Sequence, residues 1–139
     1  MAFSFTISQY RPADTKGIRE VYPEFLEEYV GLLPRGTLIV ARHGGRAIGF
    51  LFTKWNEGPA YHEPSVTRYA EIMKVHVHQD FRNRGVAKSL VARALREAER
   101  RGCEAVYLET DDFNAAARRV YEKCGFAVHN VVFRYKRSL

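Results

Sequence analysis

The chain has 139 residues, a length that suits one compact domain with its own core, so we expect a single domain over residues 1–139. Hydrophobic residues make up 46% and charged residues 27%, a balance that excludes a disordered chain. No apolar run approaches the ~20 residues needed to cross a membrane, and the first residues lack a secretory pattern. We therefore expect a cytoplasmic protein without a membrane partner.

The net charge of +6 favours a polyanionic partner, either a nucleic acid or a phosphate-rich cofactor. The only two cysteines, Cys103 and Cys124, have no CxxC neighbour. Neither a disulfide framework nor a metal site is therefore expected, and both thiols are interpreted as small buried side chains.

The first half of the chain predicts a strand, two helical pieces and a hairpin. Residues 3–10 alternate as in a strand, and residues 14–32 read as helix in two pieces because Pro23 suits a helix start. Apolar strand runs follow at 37–42 and 46–54, joined by a glycine-containing hairpin turn.

The second half predicts a loop, a fourth strand, a helix, a short strand, a helix and one or two last strands, at residues 56–67, 69–78, 84–101, 105–108, 114–123 and 128–137. The helix at 84–101 carries one apolar stripe at helical spacing, and Gly102 stands where a C-terminal cap belongs. The order β-αα-β-β-β-α-β-α-β(β) is a mixed α/β plan. Parallel pairing is expected around the unit at 69–108.

The turn between the fourth strand and its helix predicts a diphosphate site. Its residues are Arg82, Asn83, Arg84, Gly85, Val86 and Ala87. N–H groups at a helix start lack partners in the helix, and the helix dipole adds positive charge there. A glycine removes a side chain where a phosphate must approach. The turn fits neither GxxxxGK[ST] nor GxGxxG, so a Walker or Rossmann site is rejected.

The pattern [Q/R]-x-x-G-x-[G/A] at this turn resembles the coenzyme A loop of the GNAT superfamily of N-acetyltransferases. The run from Asn114 through Tyr121 to Gly125-Phe126 is similar to the second signature of that family, and the element order also matches. The resemblance implies the GNAT-like acyl-CoA N-acyltransferase fold, with a central splayed mixed sheet flanked by helices, and acetyl-CoA as co-substrate.

The resemblance also implies which residues hold acetyl-CoA. The whole turn from Arg82 to Ala87 would wrap the pyrophosphate, and Asn114 would contact the pantetheine. The edge of the fourth strand at Val75, His76 and Val77 would hydrogen-bond the pantetheine arm like an added strand. An N–H at the level of Val75 would point at the thioester carbonyl.

Direct transfer of an acetyl group to an amine needs a base and an acid. Tyr121 matches the tyrosine of the family that faces the CoA sulfur, and its alternative interpretation is a core aromatic. Glu71 matches the base of the protein-lysine branch and shares strand parity with the apolar Val75; its alternative is a solvated strand end. His76 is a further base candidate, with a half-exposed strand histidine as the alternative.

The acceptor is expected to be a primary amine on a small molecule or a protein. Glu20, Glu24, Glu27 and Glu28 lie in the first helical region and would attract a cationic amine, unless they are only a solvated acidic face. The loop at 56–67 is a second candidate wall. The sequence does not identify the acceptor, and it leaves room for a homodimer.

Two other functions remain open. A basic nucleic-acid-binding module would use the helix at 84–101 with Arg134, Lys136 and Arg137. No aromatic residues interleave with the basic ones on that helix, so nucleic acid is disfavoured. A CoA-binding regulator without turnover is the other alternative.

Overall fold

A computed structural model describes residues 2–139 and shows one five-stranded sheet in the order β1-β2-β3-β4-β5. The strands are β1 (Thr6–Gln9), β2 (Gly36–His43), β3 (Arg46–Glu57), β4 (Arg68–Val77) and β5 (Ala105–Leu108). Strands β1 to β4 pair antiparallel, whereas β4 and β5 pair parallel. The mixed sheet and the parallel pairing over 69–108 are therefore confirmed.

Four helices cover the two faces of the sheet. They are α1 (Thr15–Val21), α2 (Phe25–Tyr29), α3 (Val86–Arg100) and α4 (Ala115–Lys123). Pro23 lies between α1 and α2, as its sequence position predicts. Within residues 2–139, no helix has the length and apolar character needed to cross a membrane.

The sheet is buried on both sides because β2 and β3 send alternate side chains into two cores. Val40 and Phe50 pack with α1 and α2, whereas Ile39 and Leu51 pack with α3. A sheet covered on both faces needs apolar residues at nearly every position, which explains the continuous apolar runs of these strands.

An extra residue in β4 changes the faces that its side chains occupy. Lys74 pairs with Phe52 and Ile72 pairs with Thr53, so Met73 has no partner in β3 and forms a β-bulge. Since side chains alternate along a strand, one extra residue reverses the alternation across the bulge.

The bulge corrects the strand parity expected for Glu71. Val75 and Ile72 pack toward α3, whereas Met73 packs with the α1–α2 core. Glu71 is next to Ile72 and therefore points to the α1–α2 side. It shares that face with His76. The prediction that Glu71 shares a face with Val75 is wrong.

The strands predicted at 128–137 are absent, since residues 127–139 form neither helix nor strand. The segment contacts the rest of the protein through side chains: Arg134 Nη1 lies 3.1 Å from Asp111 Oδ1, and the His129 ring lies 5.9 Å from the Tyr107 ring. Its apolar alternation matches a strand, but strand formation depends on pairing with a neighbour, and the sheet ends at β5.

Candidate active site

The sheet opens between β4 and β5. Pairing with β5 covers only Tyr69–Ile72 of β4 and stops where β5 ends at Leu108, whereas β4 continues to Val77. The stretch that includes Val75, His76 and Val77 thus has no strand beside it on the β5 side among the described residues. A free backbone edge of this kind can accept an added extended chain.

The free edge leads directly into the turn before α3. After the 3-10 turn at Gln79–Phe81, Asn83 and Gly85 adopt left-handed backbone conformations with φ of 62° and 81°. Gly85 is the N-cap of α3 and has no side chain to accept the N–H groups of the first helical turn. A Cβ at Gly85 would meet no protein atom within 4 Å, so the space beside this N-cap position is open.

The two arginines of the turn make different contacts. Arg82 folds back, and its Nε donates to the Val77 carbonyl at 3.1 Å, which ties the turn to the end of β4. Arg84 is exposed, with its guanidinium carbon 4.8 Å from the centre of the Phe3 ring. The buried Val86 anchors the first turn of α3 in the core.

His76 is half-buried under the end of α1. Its ring packs edge-on against Tyr22 at 5.4 Å, and Lys74 Nζ lies 4.2 Å from the centre of the same tyrosine ring. Burial, with the nearby charges of Arg82 and Lys74, lowers the pKa of His76. The imidazole is therefore neutral at pH 7 and able to accept a proton. His78 instead caps the 3-10 turn by accepting the Asp80 N–H.

Glu71 lies on the same face of the sheet, on the other side of the bulge. Its Oε1 accepts a hydrogen bond from Asn56 Nδ2 at 2.9 Å and lies 3.9 Å from Lys54 Nζ. The side chain is 37% exposed, so the carboxylate is held at the protein surface and not enclosed in the core. Tyr107 of β5 is the register partner of Glu71, and its hydroxyl donates a hydrogen bond to Glu63 in the loop between β3 and β4.

Tyr121 is oriented by the way α4 ends. Phe126 N–H donates to the Tyr121 carbonyl and Gly125 N–H to the Glu122 carbonyl, both at 3.0 Å, with Gly125 at φ 93°. These bonds form a Schellman motif, in which Phe126 packs on Tyr121 with ring centres 6.1 Å apart. The Gly-Phe pair of the sequence signature thus has a structural role, and burial raises the pKa of Tyr121.

At the other end of α4, Asn114 is the N-cap, and its Oδ1 accepts the Ala117 N–H at 3.2 Å. The side-chain amide remains as a donor at the exposed helix start.

The acidic residues of the first helices are not a free cluster. Glu20 pairs with Arg46 at 3.7 Å, Glu27 pairs with Arg19 at 3.6 Å, and Glu28 accepts from the Tyr22 hydroxyl at 3.3 Å. The structure thus brings His76 and Glu71 to one face but leaves this acidic set on exposed helix surfaces.

Sequence reasoning missed the contact of Tyr22 with His76 and that of Phe3 with Arg84. No local signal could reveal them, because each joins residues far apart in the chain. Within the described part of the chain, no group of three or more His, Cys, Asp or Glu residues is arranged to hold a metal ion.

Residues 5–126 match the acetyltransferase (GNAT) family, and the chain belongs to that family. It is 29% identical to the N-alpha-acetyltransferase MAK3 of Arabidopsis thaliana, over 85% of this chain and 59% of that protein. It is 33% identical to a mycothiol acetyltransferase of Salinispora arenicola, over 74% of this chain and 32% of that protein. The matched part thus spans less than two thirds of either relative.

Solved structures share the fold. The aminoglycoside N-acetyltransferase AAC(6')-Iy in complex with CoA superposes with a TM-score of 0.78 at 24% identity, covering 96% of this chain and all of that one. A ribosomal-protein-alanine N-acetyltransferase from Brucella melitensis superposes with a TM-score of 0.71 at 20% identity, over 96% of this chain.

Proposed function

We propose that this protein is an acetyl-CoA-dependent N-acetyltransferase that moves the acetyl group to a primary amine by direct attack. The observation that carries the proposal is the continuity of two features. The free edge of β4 is followed, after one 3-10 turn, by the α3 turn, where uncapped N–H groups lie at the positive end of a 15-residue helix.

The residues present fit coenzyme A. The turn at 82–87 would hold the diphosphate with its N–H groups, and the edge at 75–77 would hydrogen-bond the amide-containing pantetheine arm. Asn114 would donate its free amide N–H to the same arm. Bound acetyl-CoA supplies an acetyl thioester; the remaining chemistry is that of the protein side chains.

On this geometry, His76 is the better proton acceptor. A base must be unprotonated at the working pH, and the lowered pKa of His76 keeps its imidazole neutral at pH 7. Glu71 lies at the protein surface, 3.9 Å from the ammonium of Lys54. We assign Glu71 to attracting and orienting the acceptor ammonium, and His76 to removing a proton from it.

Tyr121 is the proposed acid. Since burial raises the pKa of its hydroxyl, the proton is present at neutral pH and available to the leaving sulfur. The hydroxyl would donate to that sulfur while the neutral amine attacks.

The acceptor class follows from the relatives only in coarse terms. Their names include an N-alpha-acetyltransferase and a mycothiol acetyltransferase, so protein and small-molecule acceptors both stay open. We place the attraction of a cationic amine at Glu71 because it shares a face of the sheet with His76, whereas Glu20 and Glu27 lie on exposed helix surfaces.

The test is thermal unfolding with and without acetyl-CoA, followed by release of free thiol with a panel of amines. Ligand at 100 times its dissociation constant should stabilise the fold by about 2.7 kcal/mol. Thiol release with at least one amine is expected. The absence of a shift in Tm would contradict the proposal, and a shift without thiol release on any amine would favour a non-catalytic CoA-binding regulator.

A further inference from the structure

Three aromatic rings meet beside the α3 turn. Phe3 lies 5.0 Å from His43 and 5.9 Å from Phe81, and His43 and Phe81 are 5.6 Å apart, between ring centres. His43 Nδ1 also hydrogen-bonds to the Ser4 carbonyl oxygen at 2.7 Å, which fixes the segment that carries Phe3. We call these three rings the aromatic platform.

Arg84 lies on this platform. Its guanidinium carbon is 4.8 Å from the centre of the Phe3 ring and 5.9 Å from that of Phe81, both within the range of a cation–π contact. The side chain is exposed, and the salt bridges formed by residues 2–139 do not include it. The guanidinium is thus ordered by a ring while its charge has no carboxylate partner.

We propose that Phe3 is a positioning residue that acts through Arg84, holding its guanidinium ready for a phosphate of coenzyme A. The inference rests on the proposed function of the turn. A long flexible arginine loses conformational freedom when it binds, and a ring that orders it beforehand reduces that loss. The ring cannot bind phosphate itself, so its whole effect passes through Arg84.

Coenzyme A carries two phosphate sources, the diphosphate and the ribose 3′-phosphate. Measuring the dissociation constants of CoA and dephospho-CoA separates them, because dephospho-CoA keeps only the diphosphate. If Arg84→Gln weakens the binding of both ligands, Arg84 contacts the diphosphate. If it weakens the binding of CoA alone, Arg84 contacts the 3′-phosphate. Either result identifies the phosphate that Arg84 contacts, and the Phe3 variants then decide whether the ring positions it.

The variants are Phe3→Leu, Phe3→Tyr, Arg84→Gln and the double variant Phe3→Leu/Arg84→Gln, with Phe5→Leu as the matched control. Phe5 packs on the same core and touches Phe3, but no cation–π contact within residues 2–139 joins it to Arg84. Phe3→Leu keeps an apolar side chain without the ring and should weaken CoA binding about two- to fivefold, whereas Phe3→Tyr should preserve it. Arg84→Gln should weaken binding about tenfold.

The double variant decides the mechanism, because Phe3→Leu should have no further effect once Arg84 is gone. Additive losses, an equal loss in Phe5→Leu, or an unchanged dissociation constant in Phe3→Leu would each overturn the role of Phe3 and leave the proposed function intact. A wild-type protein that binds neither CoA nor dephospho-CoA would overturn both.

Discussion

Tyr121 is oriented by its own helix end, whereas His76 and Glu71 are held by residues from other elements. The hydrogen bonds from Gly125 and Phe126 fix the last turn of α4 around Tyr121. Single substitutions at these three positions should therefore change turnover while leaving the stability of the fold largely unchanged.

Tyr121→Phe should lower kcat by about 100-fold, the size of effect expected when a general acid is lost. The KM for acetyl-CoA and the melting temperature should change little, because the ring and its packing on Phe126 remain. Steady-state thiol release measures kcat and KM, and thermal unfolding measures the melting temperature. An unchanged kcat would remove Tyr121 as the acid.

His76 and Glu71 should differ in which kinetic constant they control. His76→Gln should lower kcat/KM by about 100-fold. It should also remove the rising acidic limb from the pH profile of kcat/KM, whose apparent pKa in the wild type lies below 6.5 because the pKa of His76 is lowered. Activity in the wild type is thus lost as pH falls through this pKa, when the imidazole becomes charged.

Glu71→Gln should instead raise the KM for the amine with a smaller effect on kcat, since it removes a charge that attracts the ammonium. Full pH profiles of both variants, with the same amine, test the assignment. A loss of the rising limb in Glu71→Gln alone would make Glu71 the base.

At the scale of elements, the start of α3 suits an anion because its N-cap residue, Gly85, has no side chain to accept the helix N–H groups. Gly85 has φ 81°, and the position of its missing Cβ faces open space. The site therefore depends on a backbone conformation that glycine adopts without strain.

Gly85→Asp should abolish binding of acetyl-CoA, because a carboxylate would face the diphosphate. Gly85→Asn is the matched control: asparagine has nearly the same size and tolerates a left-handed conformation, but it carries no charge. The two variants should melt at similar temperatures, and only the aspartate should lose the thermal shift with acetyl-CoA. Binding of acetyl-CoA by both variants as tightly as by the wild type would exclude a phosphate at this turn.

At the scale of the whole molecule, a buried ion pair joins the edge of the sheet to its first helices. Arg42 on β2 donates to both carboxylate oxygens of Asp14, at 2.8 and 2.5 Å, and to the Gln9 carbonyl at the end of β1. Burial alone would raise the pKa of Asp14, but the hydrogen bonds from Arg42 and Arg11 outweigh it and lower that pKa.

Asp14→Ala should destabilise the protein by roughly 3–5 kcal/mol, because it leaves the buried charge of Arg42 without its carboxylate. The double variant Asp14→Leu/Arg42→Met should lose less. Since the folded pKa of Asp14 is lowered, its contribution is present above the ordinary value of 3.8 and is lost as pH falls through the folded pKa. Urea unfolding between pH 7 and pH 2.5 tests this, and a pH dependence identical in the wild type and the Asp14→Ala variant would contradict it.

Much of this architecture could be predicted because its signals are local. The apolar stripe of α3, the hairpin between β2 and β3 and the Gly-Phe end of α4 each occupy a short run of sequence. The prediction of strands at 128–137 was wrong for the opposite reason. Their alternation is local, but a strand also requires a neighbouring backbone with which to pair.

The sequence by itself determined the order of the elements through α4, the family and the turn that would hold a diphosphate, because motifs and periodicity are local features of the chain. Only the tertiary structure decided that Glu71 shares a face with His76, that Tyr22 packs on His76 and that the Phe3 ring lies against the Arg84 guanidinium. One unpaired residue, Met73, reverses the faces of β4, and such a bulge becomes visible only when the partner strand supplies the register.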